Sequence, residues 1–92
     1  MEKTIETYLR EQVRAAGGRA PKLVCPGWAG VPDRLILMPG GKAYFAETKS
    51  PGKKPRANQQ RVHTILRELG FKVFVPDSKT AVDEMMREVL EQ

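Results

Sequence analysis

The stretch GVPDRLILMPGGKAYFAETK, residues 30–49, decides the fold. Two runs rich in apolar residues are separated by Pro39-Gly40-Gly41, a tripeptide typical of a tight turn. Strands are predicted over 33–38 and 42–49, and they are expected to pair as an antiparallel hairpin. Charged residues gather at the open end of this hairpin, so any chemistry of the chain is expected there.

The register of the hairpin decides whether its acids can act together. Asp33 opens the first strand, and Glu47 and Lys49 share one face of the second because side chains alternate across a strand. If 39–41 form a three-residue loop, Asp33 lies opposite Glu47, with Cβ atoms roughly 4.5–5.5 Å apart. A two-residue loop would place Asp33 opposite Thr48, on the wrong face. A shared site therefore requires the three-residue loop, or a bulge with the same effect.

Two carboxylates and a lysine at one end of a hairpin suit an enzyme that hydrolyses phosphodiesters. Hard cations such as Mg²⁺ or Mn²⁺ take oxygen ligands, and one or two carboxylates leave positions for water and phosphate. The cation would activate a water, and Lys49 would position the nucleophile or stabilise the transition state. The simpler alternative is that Asp33 is a turn residue and that Glu47 and Lys49 form a charge pair. Their spacing and the hairpin context together favour the site.

The chain as a whole predicts one α/β domain over 1–92 with the element order αβββαβα. Apolar periodicity predicts the other elements: helices over 3–16, 57–69 and 80–90, and strands over 22–25 and 71–75. A chain of 92 residues buries a modest fraction of its surface, so a homodimer is expected. With no stretch as long as a membrane helix, no apolar signal core and a single cysteine, a cytoplasmic protein is expected.

The charge of the chain favours an anionic partner. There are 16 Lys and Arg against 11 Asp and Glu, a formal net charge of +5, which is typical of a nucleic-acid-binding protein. Basic residues lie together over 49–61 with neither acids nor aromatics among them, a composition that suits phosphate contacts rather than base stacking. A solvated basic turn is the alternative. The candidate DNA contacts in this segment are Lys53, Lys54, Arg56 and Arg61.

Three further residues are candidates near the site. Gln59 and His63 lie on one flank of the apolar stripe of the second predicted helix, from which Gln59 is placed to hold a water or a phosphate. His63 is a candidate DNA contact, with an ordinary helix residue as the alternative, and one histidine alone argues against zinc. Trp28, in a Gly/Pro-rich loop, is a candidate wedge against unpaired bases, a subunit contact or a core residue.

The spacing of these residues resembles the VRR-NUC family, a compact branch of the PD-(D/E)XK nuclease superfamily. The shared pattern covers nearly the whole chain and runs through Gly30-Val31-Pro32-Asp33, Glu47-Thr48-Lys49, Gln59-x-x-x-His63 and Leu69-Gly70. The resemblance implies a minimal restriction-endonuclease-like core, with a central mixed sheet flanked by helices. It assigns catalysis to Asp33, Glu47, Lys49 and Gln59.

The same resemblance implies a set of metal ligands. An acid on the first helix completes the site in this branch, so Glu6 is expected beside the two hairpin acids, Asp33 and Glu47. By pattern alone Glu6 is better explained as a favourable acid near a helix N-terminus, and Glu2 and Glu11 are rivals. The main-chain carbonyl of Thr48 is expected as a further contact to Mg²⁺ or Mn²⁺.

Chains of this size resemble phage or prophage proteins that form homodimers associated with cleavage of four-way DNA junctions. We therefore expect a metal-dependent Holliday junction resolvase, acting in a bacterial or phage-infected host cell. Met85, Met86 and Trp28 are candidate interface residues. A flap or non-specific duplex nuclease is the alternative that keeps the chemistry. A non-catalytic nucleic-acid-binding module is the alternative of another class, although acids near phosphates would weaken its binding.

Overall fold

The computed structural model describes residues 2–91, so Met1 and Gln92, the predicted ends of the domain, lie outside the described residues. Three helices and three strands make up the described chain: α1 Glu2–Ala15, β1 Arg34–Met38, β2 Lys42–Ala46, α2 Ala57–Glu68, β3 Val73–Phe74 and α3 Lys79–Leu90. The predicted α/β class is confirmed. No helix within residues 2–91 is long and apolar enough to cross a membrane.

The central hairpin has the register that the predicted site requires. β1 pairs antiparallel with β2, and Met38 lies opposite Lys42, so 39–41 form a three-residue loop. Both glycines of that loop have a positive φ, which L side chains rarely adopt. Extending the register by one residue places Asp33 opposite Glu47. The prediction of the loop length is confirmed.

The sheet is mixed, with the strand order β1-β2-β3 and β3 parallel to β2. The predicted strand over 22–25 is wrong in its position and regularity. The chain instead runs antiparallel along the free edge of β1 over 19–23, where it makes main-chain hydrogen bonds and two isolated bridges. The side chain of Val24 is exposed beyond that pairing. Main-chain pairing with β1, rather than burial of a local apolar run, therefore places this segment.

Helices cover both faces of the sheet. α1 and α3 pack on one face, and the larger core lies there: Ile5, Leu9, Val13, Ile36, Met38, Tyr44, Ala46, Val82, Met85, Met86 and Val89. α2 covers part of the opposite face, where Val62 and Leu66 pack with Val73 and Phe45. The expectation that Met85 and Met86 form a subunit interface is wrong, because both are buried in the core of the single chain.

Candidate active site

Asp33 precedes β1 and is held by the residue that follows Glu47. The main-chain N–H of Thr48 donates to Asp33 Oδ1 at 3.3 Å, and the Thr48 hydroxyl donates to Oδ2 at 3.1 Å. Burial raises the pKa of the Asp33 carboxyl, the hydrogen bonds from Thr48 oppose that rise, and the charge of Glu6 adds to it. A partly buried, oriented carboxylate of this kind favours a nearby positive charge.

Glu47 is almost fully buried, with 4% of its surface exposed, and three side chains surround its carboxylate. Gln59 Nε2 donates a hydrogen bond to Glu47 Oε2 at 3.1 Å, and Lys49 Nζ lies 3.6 Å from the same oxygen. His63 Nε2 lies 3.8 Å from Oε1. Glu47 and Lys49 face α2 because they alternate with Thr48 along the chain after β2.

Gln59 joins the start of α2 to this carboxylate. It is the third helical residue, and its Oε1 accepts a hydrogen bond from the main-chain N–H of Arg56, the residue that precedes the helix. The side chain of Gln59 therefore caps the helix with its amide oxygen and points its amide nitrogen at Glu47. The predicted flank position of Gln59 brings it to the acids, whereas its neighbour Gln60 is exposed.

His63 lies beside Glu47 and not at the surface. Only 2% of its surface is exposed, which does not suit the DNA contact predicted for it. Burial lowers the pKa of His63, and the charges of Arg67 and Lys49 lower it further, so its imidazole is neutral near pH 7. Its Nε2 makes no hydrogen bond to another described residue. The ring therefore packs against the carboxylate without a hydrogen bond to it.

Glu6 is engaged by a residue that sequence reasoning missed. Its carboxylate forms an ion pair with the buried guanidinium of Arg34, which also donates a hydrogen bond to the Ala20 carbonyl oxygen at 2.9 Å. Strand alternation was the available signal, because Arg34 shares its face with the buried residues Ile36 and Met38. The pair ties α1 to the start of β1.

The donor set fits a hard cation through two carboxylates. Among the described residues, no group of three or more His, Cys, Asp and Glu side chains is arranged to hold a metal ion. Glu6 is paired with Arg34, so the acids available at the end of the hairpin are Asp33 and Glu47. Mg²⁺ is commonly held by one or two carboxylates together with water and phosphate oxygens. A cation held in that way would take its two carboxylates from Asp33 and Glu47.

The predicted DNA contacts other than His63 lie at the surface. Trp28 is 40% exposed, so it is not a core residue. The four basic candidates of the 49–61 segment are also exposed, and they follow the acids along the chain into the first turns of α2: Lys53, Lys54, Arg56 and Arg61. The acids thus lie at the margin of a basic surface.

Known proteins resemble this chain in both sequence and structure. It is 50% identical over 78 residues to "Putative nuclease p44" of Acyrthosiphon pisum secondary endosymbiont phage 1, an alignment that covers 85% of the chain and 84% of that relative. A solved structure described as "VRR_NUC domain" superposes with a TM-score of 0.89 and 36% identity over 94% of each chain. No protein-family model matches the chain.

Fold and relatives together define the class as a nuclease with a minimal α/β core. The chain belongs to the VRR-NUC family, and the resemblance inferred from its sequence is confirmed.

Proposed function

We propose that this protein is a Mg²⁺- or Mn²⁺-dependent endonuclease that hydrolyses phosphodiester bonds in branched DNA, with the four-way junction as its substrate. The observation that carries the proposal is the placement of Asp33 and Glu47 at the open end of one hairpin, with Lys49 Nζ 3.6 Å from the Glu47 carboxylate. The phage origin of the relative named as a nuclease supports a role in the cytoplasm of a phage-infected cell.

Two acids and one main-chain group would hold the cation. These are the carboxylates of Asp33 and Glu47 and the carbonyl of Thr48, while Glu6, engaged by Arg34, would reach it through water. When bound, the cation lowers the pKa of a water and offsets the charge that builds on phosphorus. Lys49, on the same face as Glu47, is placed to orient the attacking water and to donate a hydrogen bond to a phosphate oxygen.

Gln59 and His63 act as positioning residues for Glu47. Gln59 fixes the rotation of the carboxylate through its hydrogen bond to Oε2, and the His63 ring closes the side nearest Oε1. Residues that orient a ligand commonly change metal affinity or activity 10- to 100-fold when they are removed. This role replaces the DNA contact predicted for His63.

The other parts of the proposal concern the substrate and the assembly. Lys53, Lys54, Arg56 and Arg61 bind backbone phosphates, and exposed Trp28 stacks on unpaired bases at the branch point. A four-way junction needs two cuts of opposite strands. A homodimer supplies the second active site for that pair of cuts, and a chain of this size gains stability by burying surface between subunits.

The proposal is tested with a panel of labelled DNA substrates. A four-way junction, a 5′ flap, a nicked duplex and a linear duplex are each incubated with Mg²⁺, with Mn²⁺ and with EDTA, beside the variant Lys49→Ala. Paired symmetric cuts confined to the junction are expected, and they should disappear in EDTA and in the variant. Light scattering of the unaltered protein should give the mass of a dimer.

Other outcomes correct specific parts of the proposal. Metal-dependent cutting of flaps or of every duplex would contradict the junction assignment and leave the endonuclease. Binding of DNA without cutting in any condition would favour a non-catalytic binding module. Lys49→Ala should still bind the junction, because Lys49 is placed to act on the reacting phosphate rather than along the backbone.

A further inference from the structure

A second basic surface lies outside the residues assigned to DNA above. A cleft of about 600 Å³ lies between the second half of α1 and the segment that pairs with the edge of β1. Its charged lining is three arginines, Arg10, Arg14 and Arg19, against one acid, Glu11, and apolar residues of the neighbouring segment and of β1 form its floor. All three arginines are exposed, so the cleft presents an excess of positive charge to solvent. We call it the α1 cleft.

The α1 cleft is connected to the active site along the helix. Glu6, Arg10 and Arg14 follow one another at four-residue spacing, so they lie along one side of α1. Glu6 lies near Asp33, whose pKa its charge raises. Each step of four residues advances about 6 Å along the helix axis, which places Arg10 and Arg14 about 6 and 12 Å beyond the site.

The segment over 19–23 runs beside this path in the opposite direction. Arg19 pairs with Leu37 near the closed end of the hairpin, and Lys22 pairs with Arg34 near the site. A strand of DNA carries one phosphate per 3.4 Å of helix axis, so the two turns of α1 span about three to four nucleotides. The path therefore matches a short stretch of DNA backbone in length and is opposite to it in charge.

The two basic surfaces lie on different sides of the acids. α1 packs on the face of the sheet that carries Ile36 and Tyr44, whereas α2 packs on the face that carries Phe45. The segment over 49–61 belongs to the α2 side, whereas the α1 cleft lies beside α1 at the free edge of β1, where Leu37 also lines it. A DNA strand cleaved at the acids would have positive charge on both sides of the cleaved bond.

We propose that the α1 cleft binds the phosphate backbone of a second duplex arm, which leaves the active site on the side opposite to residues 49–61. One guanidinium group can bind two oxygens of the same phosphate. Three exposed guanidinium groups around one cleft therefore favour an anionic backbone over an apolar protein surface as its partner. The inference rests on the proposed endonuclease and specifies how the site holds two arms of its substrate.

Charge reversal at Arg14 tests the cleft, with a matched change elsewhere as the control. Arg14→Glu and Arg87→Glu each reverse one basic residue in the last turn of a helix, but only Arg14 lines the cleft. Junction binding is measured in EDTA over a range of salt concentrations. Arg14→Glu should weaken binding roughly tenfold and lower the log–log salt slope by about 0.9, while Arg87→Glu changes neither.

The arm assignment is tested by shortening symmetric pairs of junction arms in turn. The loss caused by Arg14→Glu should disappear when one pair of arms is shortened and persist when the other is shortened. Lys54→Glu, on the opposite basic surface, should give the reverse result. Equal losses for Arg14→Glu with both shortened junctions would overturn the assignment of the α1 cleft to one arm.

Two further outcomes would overturn the proposal. Equal losses for Arg14→Glu and Arg87→Glu would mean that the effect is general electrostatic attraction. A change of mass in light scattering for Arg14→Glu, with an unchanged salt slope, would mean that the cleft contacts a second copy of the chain. Because these measurements report binding in EDTA, failure of the unaltered protein to cut DNA is a separate result that contradicts the proposed endonuclease alone.

Discussion

Gln59 Nε2 donates a hydrogen bond to Glu47 Oε2 at 3.1 Å, while Gln59 Oε1 accepts one from the main-chain N–H of Arg56 at 2.9 Å. A single side chain thus caps α2 and orients the more buried of the two hairpin acids. Because both ends of the amide are used, a substitution at Gln59 has two effects, one on the stability of the helix start and one on the carboxylate.

Gln59→Leu should reduce both cleavage and stability. We expect the cleavage rate to fall about 10- to 100-fold, because the orientation of Glu47 is lost, and the free energy of unfolding to fall by about 1 kcal/mol, because the cap is lost. Single-turnover cleavage and urea denaturation measure the two effects. Gln60→Leu is the control, since Gln60 is exposed and its side chain donates a hydrogen bond to the Pro55 carbonyl oxygen, away from Glu47. An unchanged rate for Gln59→Leu would contradict the positioning role.

Asp33→Asn should make the folded protein more stable at neutral pH. Burial raises the pKa of Asp33 in the folded state, so the unfolded state releases this proton at lower pH. As pH rises past the ordinary Asp value of about 3.9, ionisation therefore favours unfolding, and asparagine removes that cost. Asparagine retains a partner for each Thr48 bond, because its carbonyl accepts the main-chain N–H and its amide donates to the hydroxyl.

Thermal denaturation in EDTA at pH 7 and near pH 3 measures this effect. The midpoint of Asp33→Asn should exceed that of the unaltered protein at pH 7, and the difference should shrink towards pH 3, where the aspartate of both states is protonated. The variant should also cut no DNA. A lower midpoint at pH 7 would mean that the Thr48 hydrogen bonds outweigh the burial of the charge.

Arg34→Met should destabilise the fold by breaking the ion pair with Glu6. We expect a loss of about 2 kcal/mol in the free energy of unfolding, less than for a fully buried pair because the Glu6 side chain is 24% exposed. The double variant Arg34→Met/Glu6→Met should recover part of this loss, since no charge is then left without its partner. Urea denaturation of the four proteins measures the coupling, and strictly additive losses would contradict it.

The hairpin was the most predictable part of this molecule. Alternation over 33–38 and 42–49 and a turn that contains two glycines determine the register, and extending that register by one residue places Asp33 opposite Glu47 at the open end of the hairpin. The helix periodicity also placed Gln59 on the flank of α2 that reaches the acids. Local patterns of this kind carry the information because the interactions involved lie within the hairpin or within one helix face.

Partners distant in sequence were not predictable in the same way. Arg34 and Glu6 are 28 residues apart. No local pattern indicates that an arginine at the start of a strand forms an ion pair with the acid that was expected to bind the metal. His63 is buried because α2 packs it against Glu47. Its position on the flank of the helix did not decide between burial and exposure. α3 has one apolar stripe, and the sequence does not state whether α1 or a second subunit covers it.

Two glycines before the site share a backbone conformation but not their surroundings. Gly27 has a φ of +87° and Gly30 a φ of +96°, a region in which a residue with a Cβ costs about 1–2 kcal/mol. A Cβ on Gly27 would meet nothing within 4 Å, whereas a Cβ on Gly30 would lie 2.7 Å from the main-chain oxygen of Asn58, in the first turn of α2. Gly30 therefore allows α2 to approach the segment that leads into Asp33.

Gly30→Ala and Gly27→Ala separate backbone strain from that close approach. Gly27→Ala should lower the free energy of unfolding by about 1 kcal/mol and leave the cleavage rate unchanged. Gly30→Ala should cost about 3 kcal/mol or more, because the added methyl group overlaps main-chain atoms that a side-chain rotation cannot move. It should also slow cleavage, because the methyl group would displace the first turn of α2 and so move Gln59 away from Glu47. Equal losses of stability for the two variants in urea, or an unchanged rate for Gly30→Ala, would mean that Gly30 is required for its φ alone.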